Sequence, residues 1–503
     1  MRRLGLFGAV LLVLAVVYVA AWRTQPGGSQ TSAGSAVPLT AAVTSVTRSC
    51  PPPAPNTGAT RIAMIAMPAQ SPAAKTGTAA PGSAVLSEVP AAPAVSAASK
   101  QSATPSAHIS LSMPPVTVSD PGALTAVTAP GAAESGGTAV AATGRMAEGF
   151  EAEQANASGM GLVSCTHPSS DMWFVGTGAE AGAPDIRLYL MNTGDLAASA
   201  DVTILTDAGP QSGRGSGITI APHQFVMENI APFVRGSVAL ALHVQTSSGQ
   251  VAASVWEGSG SAGAWLPQAA APSTRLVIPG LTVASSAARL FVTVPGATDA
   301  RLKVVAFTPA GKFPQFGSAP LDAPAGASSS FALSSLGASA AGLVLSSNVP
   351  IIAGVLVPGA GIGSFTTAVT PVTEQGIVAG NPATRGLTVG LVLTAPGAAA
   401  RANITVIGAG GLAAASASGQ QQVVTVQAGH TLAVTVPRPA GSRQPFAIVI
   451  TPLAGSGPLY AARVVTTGTG GLSAPVASLL PVPSALTAIT LPPAQNTYSA
   501  VLP

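Results

Sequence analysis

We predict an all-β chain in which tandem immunoglobulin-like β-sandwich repeats follow one N-terminal transmembrane helix. Three observations predict this class. Short runs rich in Val, Thr and Ile alternate apolar with small or polar residues, which is typical of half-buried strands. These runs recur with turn glycines Gly194, Gly296 and Gly397, about 100 residues apart. The chain also opens with a long uncharged apolar run.

The first element is this uncharged run, Leu4–Trp22, which follows Arg2–Arg3. A helix of that length spans the roughly 30 Å hydrocarbon core of a bilayer. The preceding arginines place the N-terminus in the cytoplasm. We therefore predict a cytoplasmic tip and signal-anchor helix over residues 1–23, and a single-pass protein of the cell membrane with an extracytoplasmic body. The alternative is a signal peptide cleaved near Val19–Ala21, after which the body would be secreted.

Two segments connect this helix to the repeats. Residues 24–42 are rich in Gly, Ser and Thr and predict a flexible stalk. Residues 43–165 predict an atypical N-terminal β-domain, with strand-like runs such as Arg61–Met67. The Pro/Ala/Ser-rich stretch at about 68–107 is expected to be a disordered insertion in this domain.

The repeats are the main architectural signal. We place β-sandwich repeats at 166–270, 271–372 and 373–467, and C-terminal strands and a tail at 468–503. About seven short strands in roughly 100 residues is the count of an immunoglobulin-like sandwich. Each repeat is expected to end in a hairpin, as at residues 238–256. The alternative is a β-propeller in which each repeat forms two four-stranded blades.

Composition excludes several classes of function. Charged residues make up 8% of the chain, and the net charge of +4 includes no basic run after Arg2–Arg3, so nucleic-acid binding is not expected. No Asp or Glu occurs from Gln375 to Pro503, which excludes carboxylate catalysis and metal binding there. The Gly-rich stretches Ser212–Gly217 and Gly408–Gly411 lie between strands and predict turns, not phosphate-binding loops. We predict no catalytic, cofactor-binding or metal-binding residue.

The two cysteines, Cys50 and Cys165, predict one disulfide in an exported protein. The alternative is a thiol nucleophile at Cys165, with His167 as base and Asp171 as orienting group.

Three tryptophans, Trp173, Trp256 and Trp265, flank the first repeat and are the candidate binding aromatics. Exposed indole rings stack on sugar rings. The alternative is that each packs in a sandwich core or between neighbouring domains.

An ordered set of motifs follows the apolar N-terminal run. It comprises Cys50, CTHPSSDMWFVG at Cys165–Gly176, a strand ending at Gly194, IPGL at Ile278–Leu281 and SNVPIIAGV at Ser347–Val355. This set resembles an uncharacterised actinobacterial family of secreted or membrane-anchored proteins, defined as a conserved domain of unknown function and often encoded near a family-two glycosyltransferase. The resemblance covers nearly the whole chain after the stalk, and implies by association a role in envelope or glycan biogenesis. It transfers no catalytic residue.

Together these observations predict a non-enzymatic, membrane-anchored extracytoplasmic scaffold or interaction protein of the cell envelope, accessory to glycan assembly or export. Its expected partners are the membrane, through the N-terminal helix, and envelope proteins or cell-wall glycan. The alternative is a carbohydrate- or surface-binding module, and a third candidate is a thiol hydrolase. No cofactor is expected.

Overall fold

A computed structural model describes most of the chain. The described residues are 39–55, 57–67, 80–92, 113–129, 136–156, 159–179, 185–211, 215–259, 262–282, 287–317, 320–334, 340–359, 363–440 and 442–491. The predicted anchor helix and most of the predicted stalk lie outside them. Within these ranges, no helix combines the length and the apolar character that crossing a bilayer requires.

The all-β prediction is confirmed. The chain divides into two units, of which the first is described at residues 39–41 and 489–491, and the second at the described residues between 42 and 488. Strands β1 (Leu39–Ala42) and β35 (Ala488–Leu491) form a two-stranded sheet. All other described strands belong to the second unit, together with one short helix, α1 (Gly411–Ala417), and 3₁₀ turns at Gly144–Met146, Ala231–Phe233 and Gly471–Ser473.

The second unit contains four β-sandwiches in chain order. The first is formed by β2 (Ser45–Cys50), β3 (Thr60–Ala66), β4 (Ala84–Val89), β5 (Val116–Val118), β6 (Thr125–Ala129), β7 (Gly137–Thr143), β8 (Phe150–Asn156) and β9 (Val163–Ser164). Its sheets have the orders β2-β7-β4-β5 and β6-β3-β8-β9, and their facing apolar side chains meet in one core.

The second sandwich follows directly. It is formed by β10 (Asp171–Gly176), β11 (Asp185–Asn192), β12 (Ala198–Thr206), β13 (Gly209–Gln211), β14 (Ile218–Ile220), β15 (Gln224–Asn229), β16 (Leu240–Ser248), β17 (Ala252–Ser259) and β18 (Ala262–Leu266). One sheet has the order β10-β16-β12-β13, with β14 also beside β12. The other has the order β15-β11-β17-β18.

The third sandwich differs in one long strand. It is formed by β19 (Ser273–Leu281), β20 (Arg289–Thr293), β21 (Ala300–Thr308), β22 (Gly311–Pro314), β23 (Leu321–Ala323), β24 (Ser328–Ala332), β25 (Ala341–Val357) and β26 (Ser364–Thr367). The first half of β25 pairs with β19 and β21, and its second half pairs with β20 and β26. A single strand therefore crosses from one sheet to the other.

The fourth sandwich completes the unit. It is formed by β27 (Gly376–Asn381), β28 (Leu387–Ala395), β29 (Ala400–Ile407), β30 (Gln421–Val426), β31 (His430–Val436), β32 (Phe446–Pro452), β33 (Tyr460–Thr467) and β34 (Val476–Val482). Its sheets have the orders β27-β32-β29-β30 and β31-β28-β33-β34.

One strand order recurs in all four sandwiches. When the short strands β14 and β23, which pair only with strand 3, are left out of the numbering, strands 1-6-3-4 form one sheet and strands 5-2-7-8 form the other. In the third sandwich β25 supplies both strand 6 and strand 7. In an immunoglobulin sandwich the first strand lies beside the second and the seventh beside the sixth. Here the first lies beside the sixth and the seventh beside the second. The β-sandwich class is therefore observed, but the immunoglobulin-like order is not confirmed.

The observed strand order also tests the propeller alternative and the predicted hairpin. Propeller blades are meanders of four consecutive strands, so the mixed strand orders do not fit the propeller alternative. The predicted hairpin at residues 238–256 is also wrong, because β16 and β17 lie in opposite sheets. Two consecutive strands that lie in opposite sheets form an arch. Apolar residues alternate along both strands in a hairpin and in an arch, so the local sequence pattern cannot distinguish the two.

A further expectation concerns the stretch at about 68–107. Residues 80–92 of it are described and contain β4, a central strand whose Ala84, Leu86 and Val89 are buried. The predicted disordered insertion is therefore wrong for these residues. The Pro/Ala/Ser-rich sequence on both sides hides the pattern of this strand, although its Ala84 and Leu86 lie in the core of the first sandwich.

Each sandwich contacts the next along the chain, and the fourth contacts the first. The backbone N–H of Ala92 donates to Phe225 O of the second sandwich at 2.8 Å. Ser328 Oγ of the third donates to Leu205 O of the second at 3.1 Å. Side chains of β19 and β33 share a core between the third and the fourth. An apolar cluster that includes Ile65 and Val449 joins the fourth to the first.

A buried ion pair lies in this last junction. Arg463 Nη2 of β33 is 2.8 Å from Glu153 Oε1 of β8, and the two side chains are 0% and 3% exposed. The backbone N–H of Gly380 donates to Glu153 Oε2 at 2.8 Å. A register shift in β27 between Val378 and Asn381 interrupts its pairing with β32 at this glycine. The bulge thus provides a backbone donor for a carboxylate from another sandwich.

We predict that Glu153→Gln lowers the free energy of unfolding by about 3–5 kcal/mol, because it leaves the buried Arg463 charge uncompensated. The double variant Glu153→Gln/Arg463→Met removes both charges and is expected to recover most of the loss. Denaturant unfolding of the full chain measures both. The control is Asp322→Asn, which removes an exposed ion pair with Arg301 of 3.8 Å and is expected to cost less than about 1 kcal/mol. An unchanged stability of Glu153→Gln contradicts the prediction.

Candidate functional site

Two of the three candidate tryptophans lie side by side. Trp256 of β17 and Trp265 of β18 are directly opposite each other in the antiparallel pair. Both side chains project from the outer face of the second sandwich and join an apolar cluster with Val89 and Val163 of the first. They are 1% and 6% exposed. They therefore do not present open ring faces to solvent, as the prediction of exposed binding aromatics required.

Glycines set the position of the Trp256 ring. Gly258 and Gly263 are also cross-strand partners, and a Cβ atom on either would lie 2.4 Å from Trp256 Cζ2. The indole therefore lies directly over a stretch of backbone that has no side chains. The guanidinium carbon of Arg187 lies 6.0 Å from the Trp256 ring centroid, at the distance of a cation–π contact.

A cavity of about 260 Å³ opens beside these two rings. The first sandwich contributes most of the remaining wall, and Ala477 of β34 contributes a part from the fourth. The lining residues are Ala54, Thr57, Thr60, Gln154, Asn156, Met160, Gly161, Trp256, Ala262, Gly263, Trp265 and Ala477. We call this space the tryptophan cavity. Three sandwiches build it, so it exists only when they are assembled.

Polar groups lie deep in the tryptophan cavity. Thr60 and Gln154 are each 3% exposed, and Thr60 Oγ1 has no hydrogen-bond partner among the described residues. Asn156 Oδ1 accepts a hydrogen bond from the backbone N–H of Met160 at 2.9 Å, which fixes its amide at the wall. None of the lining residues that the structure describes carries an ionisable side chain. Aromatic walls with hydroxyl and amide groups suit a neutral ligand that has apolar and polar faces.

The third tryptophan lies elsewhere. Trp173 of β10 is 6% exposed and packs at the junction of the second and third sandwiches, in a cluster with Phe291 and Phe365. Its ring stacks on His243 with centroids 3.7 Å apart, and His243 Nε2 lies 3.0 Å from Asp171 Oδ1. Trp173 therefore does not belong to the tryptophan cavity, and its surroundings are those of a packing residue.

With this geometry in place, comparison with known proteins gives one match. A family model described as Family of unknown function (DUF5719) matches residues 116–437, which is more than half of the chain. The chain belongs to this family. The match begins at β5 of the first sandwich and ends after β31 of the fourth. No curated protein and no solved structure matches the chain.

The predicted disulfide of this DUF5719 protein is present. Cys50, at the end of β2, is bonded to Cys165, and the described residues include no free cysteine. Closing a loop of 115 residues stabilises the fold by about 4–5 kcal/mol on a chain-entropy estimate. The candidate site of Cys165, His167 and Asp171 is therefore wrong in this oxidised form, because its sulfur is not a thiol and Asp171 contacts His243 instead.

Clusters of potential metal ligands were also sought in this DUF5719 chain. The described residues contain no group of three or more His, Cys, Asp or Glu side chains that could hold a metal ion. The sequence did not single out Thr60 and Gln154, which face the tryptophan cavity. No local motif marks them, since they come from β3 and β8 of a sandwich other than the one that carries the tryptophans.

Glu257 is the most unusual titratable group. It is 1% exposed, adjacent in sequence to Trp256, and faces the interior of the second sandwich near Gly176 and Leu266. Burial raises its pKa well above the ordinary 4.5, and a hydrogen bond from the Thr177 backbone opposes this only in part. A raised pKa favours the neutral acid in the folded state.

We predict that Glu257 makes the fold less stable as pH rises. Above the unfolded pKa of 4.5, the unfolded chain releases a proton that the folded chain keeps, so stability falls until the folded pKa is reached. The thermal midpoint of Glu257→Gln relative to the unsubstituted chain should therefore increase between about pH 4 and about pH 8. The control is the exposed Asp322→Asn. A difference independent of pH would contradict the raised pKa.

Proposed function

We propose that this protein is a non-enzymatic, extracytoplasmic binding protein of the cell envelope, and that the tryptophan cavity is its ligand site. The observation that carries the proposal is the meeting of Trp256, Trp265 and the unpartnered Thr60 hydroxyl in one uncharged cavity. A buried hydroxyl without a partner is costly, and a ligand that hydrogen-bonds to it removes that cost.

The ligand class we propose is a sugar unit of an envelope glycan. Sugar rings have an apolar C–H face, which would pack against the edges of Trp256 and Trp265 that line the cavity, and equatorial hydroxyls, which bond to amides and hydroxyls. A volume of about 260 Å³ lies just below the roughly 300–1,000 Å³ of drug-sized pockets. It suits one ring, with the rest of the glycan outside.

Support for the location comes from the disulfide, because disulfides persist mainly in oxidising compartments outside the cytoplasm. We propose that residues Leu4–Trp22 anchor the protein in the cytoplasmic membrane, on the grounds of their length and lack of charge. Alkaline extraction of membranes that leaves the full chain in the pellet supports the anchor, and its release favours the cleaved signal peptide. A role accessory to glycan assembly or export rests on the family resemblance.

We also propose that the four sandwiches are tandem copies of one unit. The shared orders 1-6-3-4 and 5-2-7-8 support this for the first sandwich as well as the other three. The turn glycines Gly194, Gly296 and Gly397 each follow the second strand of their sandwich. Repetition would give the envelope protein four similar modules and a distinct junction between each pair.

The binding proposal is tested with the full chain on an array of envelope sugars and oligosaccharides, followed by calorimetry on the binders. Thr60→Val replaces the hydroxyl with a methyl group of similar size, and is expected to weaken binding roughly fivefold to tenfold while leaving the fold equally or more stable. Trp265→Phe shrinks one wall, and is expected to weaken binding by about the same factor.

The matched control is Trp173→Phe, the same substitution at the junction outside the tryptophan cavity, and it should leave the affinity unchanged. Two results would each reject the proposal: no sugar on the array binds, or the affinity responds equally to Trp173→Phe and Trp265→Phe.

A further inference from the structure

A second pocket lies at one end of the fourth sandwich and shares no lining residue with the tryptophan cavity. Two loops line it, the β27–β28 loop with Ala383, Thr384 and Arg385, and the β31–β32 loop with Arg438, Ser442 and Arg443. Its volume is about 560 Å³. We call it the arginine pocket.

Three guanidinium groups share this space without a carboxylate. Each of the three arginines is exposed, and the ion pairs between described residues involve none of them. The chain has no Asp or Glu from Gln375 to Pro503, so neither loop can supply one. The segment Gly159–Gly161 of the first sandwich, which approaches Thr384, is also uncharged. Glu153, in the same junction, is engaged by Arg463 and by Gly380.

The loops are held so that the charges stay together. Arg438 Nη1 donates to Ala383 O of the opposite loop at 3.2 Å. The backbone N–H of Leu387 donates to Thr384 O, which closes the turn that carries Arg385. Arginine is always charged, so three of them around one pocket repel one another. An anion in the pocket converts that repulsion into attraction.

We propose that the arginine pocket binds the phosphate group of a phosphorylated envelope molecule. A guanidinium group donates two parallel hydrogen bonds to an oxyanion. Three such donors match the three or four oxygens of a phosphate better than the two of a carboxylate. The volume exceeds that of a phosphate alone, so the group is carried by a larger molecule, either a soluble phosphorylated glycan or an anionic lipid headgroup. The assignment does not depend on the tryptophan cavity.

The test uses the full chain in neutral detergent micelles. Equilibrium dialysis with radiolabelled glycerol phosphate measures binding of a soluble phosphate ester, and addition of phosphatidylglycerol to the micelles as a competitor measures binding of the lipid headgroup. We expect saturable binding of one glycerol phosphate per chain, or one phosphatidylglycerol. Competition by the lipid at lower concentration than by glycerol phosphate itself identifies the headgroup as the source, and the reverse order identifies the soluble ester.

Two variants test whether the arginine pocket is the phosphate-binding site. Arg443→Gln and Arg385→Gln should each weaken binding roughly tenfold, since each removes a charged donor from an exposed loop without disturbing a core. The matched control is Arg401→Gln, which removes the same charge from an exposed position of the same sandwich outside the pocket. Glycerate, a carboxylate of similar size, should bind at least tenfold more weakly than glycerol phosphate. Absence of saturable binding, an equal loss in Arg401→Gln, or equal binding of glycerate overturns the proposal.

Discussion

The junction that closes the first sandwich onto the fourth, which holds an apolar cluster and the buried ion pair of Glu153 and Arg463, is the constraint on which the tryptophan cavity depends. It joins the two sandwiches that are the farthest apart along the chain, and both side chains of the ion pair are removed from water. Such a pair is costly unless its geometry is satisfied. The bulge at Gly380 supplies a hydrogen bond to one carboxylate oxygen, whereas the other oxygen and the Arg463 guanidinium form no hydrogen bond among the described residues and interact by charge. The tryptophan cavity needs this closure, because the first, second and fourth sandwiches all contribute to its wall.

The sequence predicted the class and the positions of most strands, because alternation and turn residues are local signals. It did not predict which strands pair. Strands β16 and β17 looked like a hairpin, and only their partners in opposite sheets show them to be an arch. Strand β4 was hidden by the Pro/Ala/Ser-rich sequence around it, although its Ala84 and Leu86 lie in the core of the first sandwich. The disulfide was predictable because only two cysteines occur in the chain.

The candidate sites were predictable only in part. Trp256 and Trp265 were identified by residue type, but their burial depends on the first sandwich covering them, which no local pattern encodes. Thr60 contributes a hydroxyl from a distant strand and gives no sequence signal. For the arginine pocket a signal was present in the acid-free stretch after Glu374. A stretch without Asp or Glu excludes carboxylate chemistry. It also leaves its arginines without counter-charges nearby in the sequence, and the fold brings three of these arginines together.

Hydrogen exchange at the Gly380 amide tests the closure most directly, because this N–H donates to Glu153 across the junction and not to a strand of its own sheet. Exchange resolved to single residues by fragmentation mass spectrometry would compare it with Leu391, a fully buried amide of the same sandwich. If the first and fourth sandwiches are locked together, Gly380 exchanges as slowly as Leu391. Rapid exchange at Gly380 while Leu391 stays protected would show that the two sandwiches separate, and would contradict the closed arrangement.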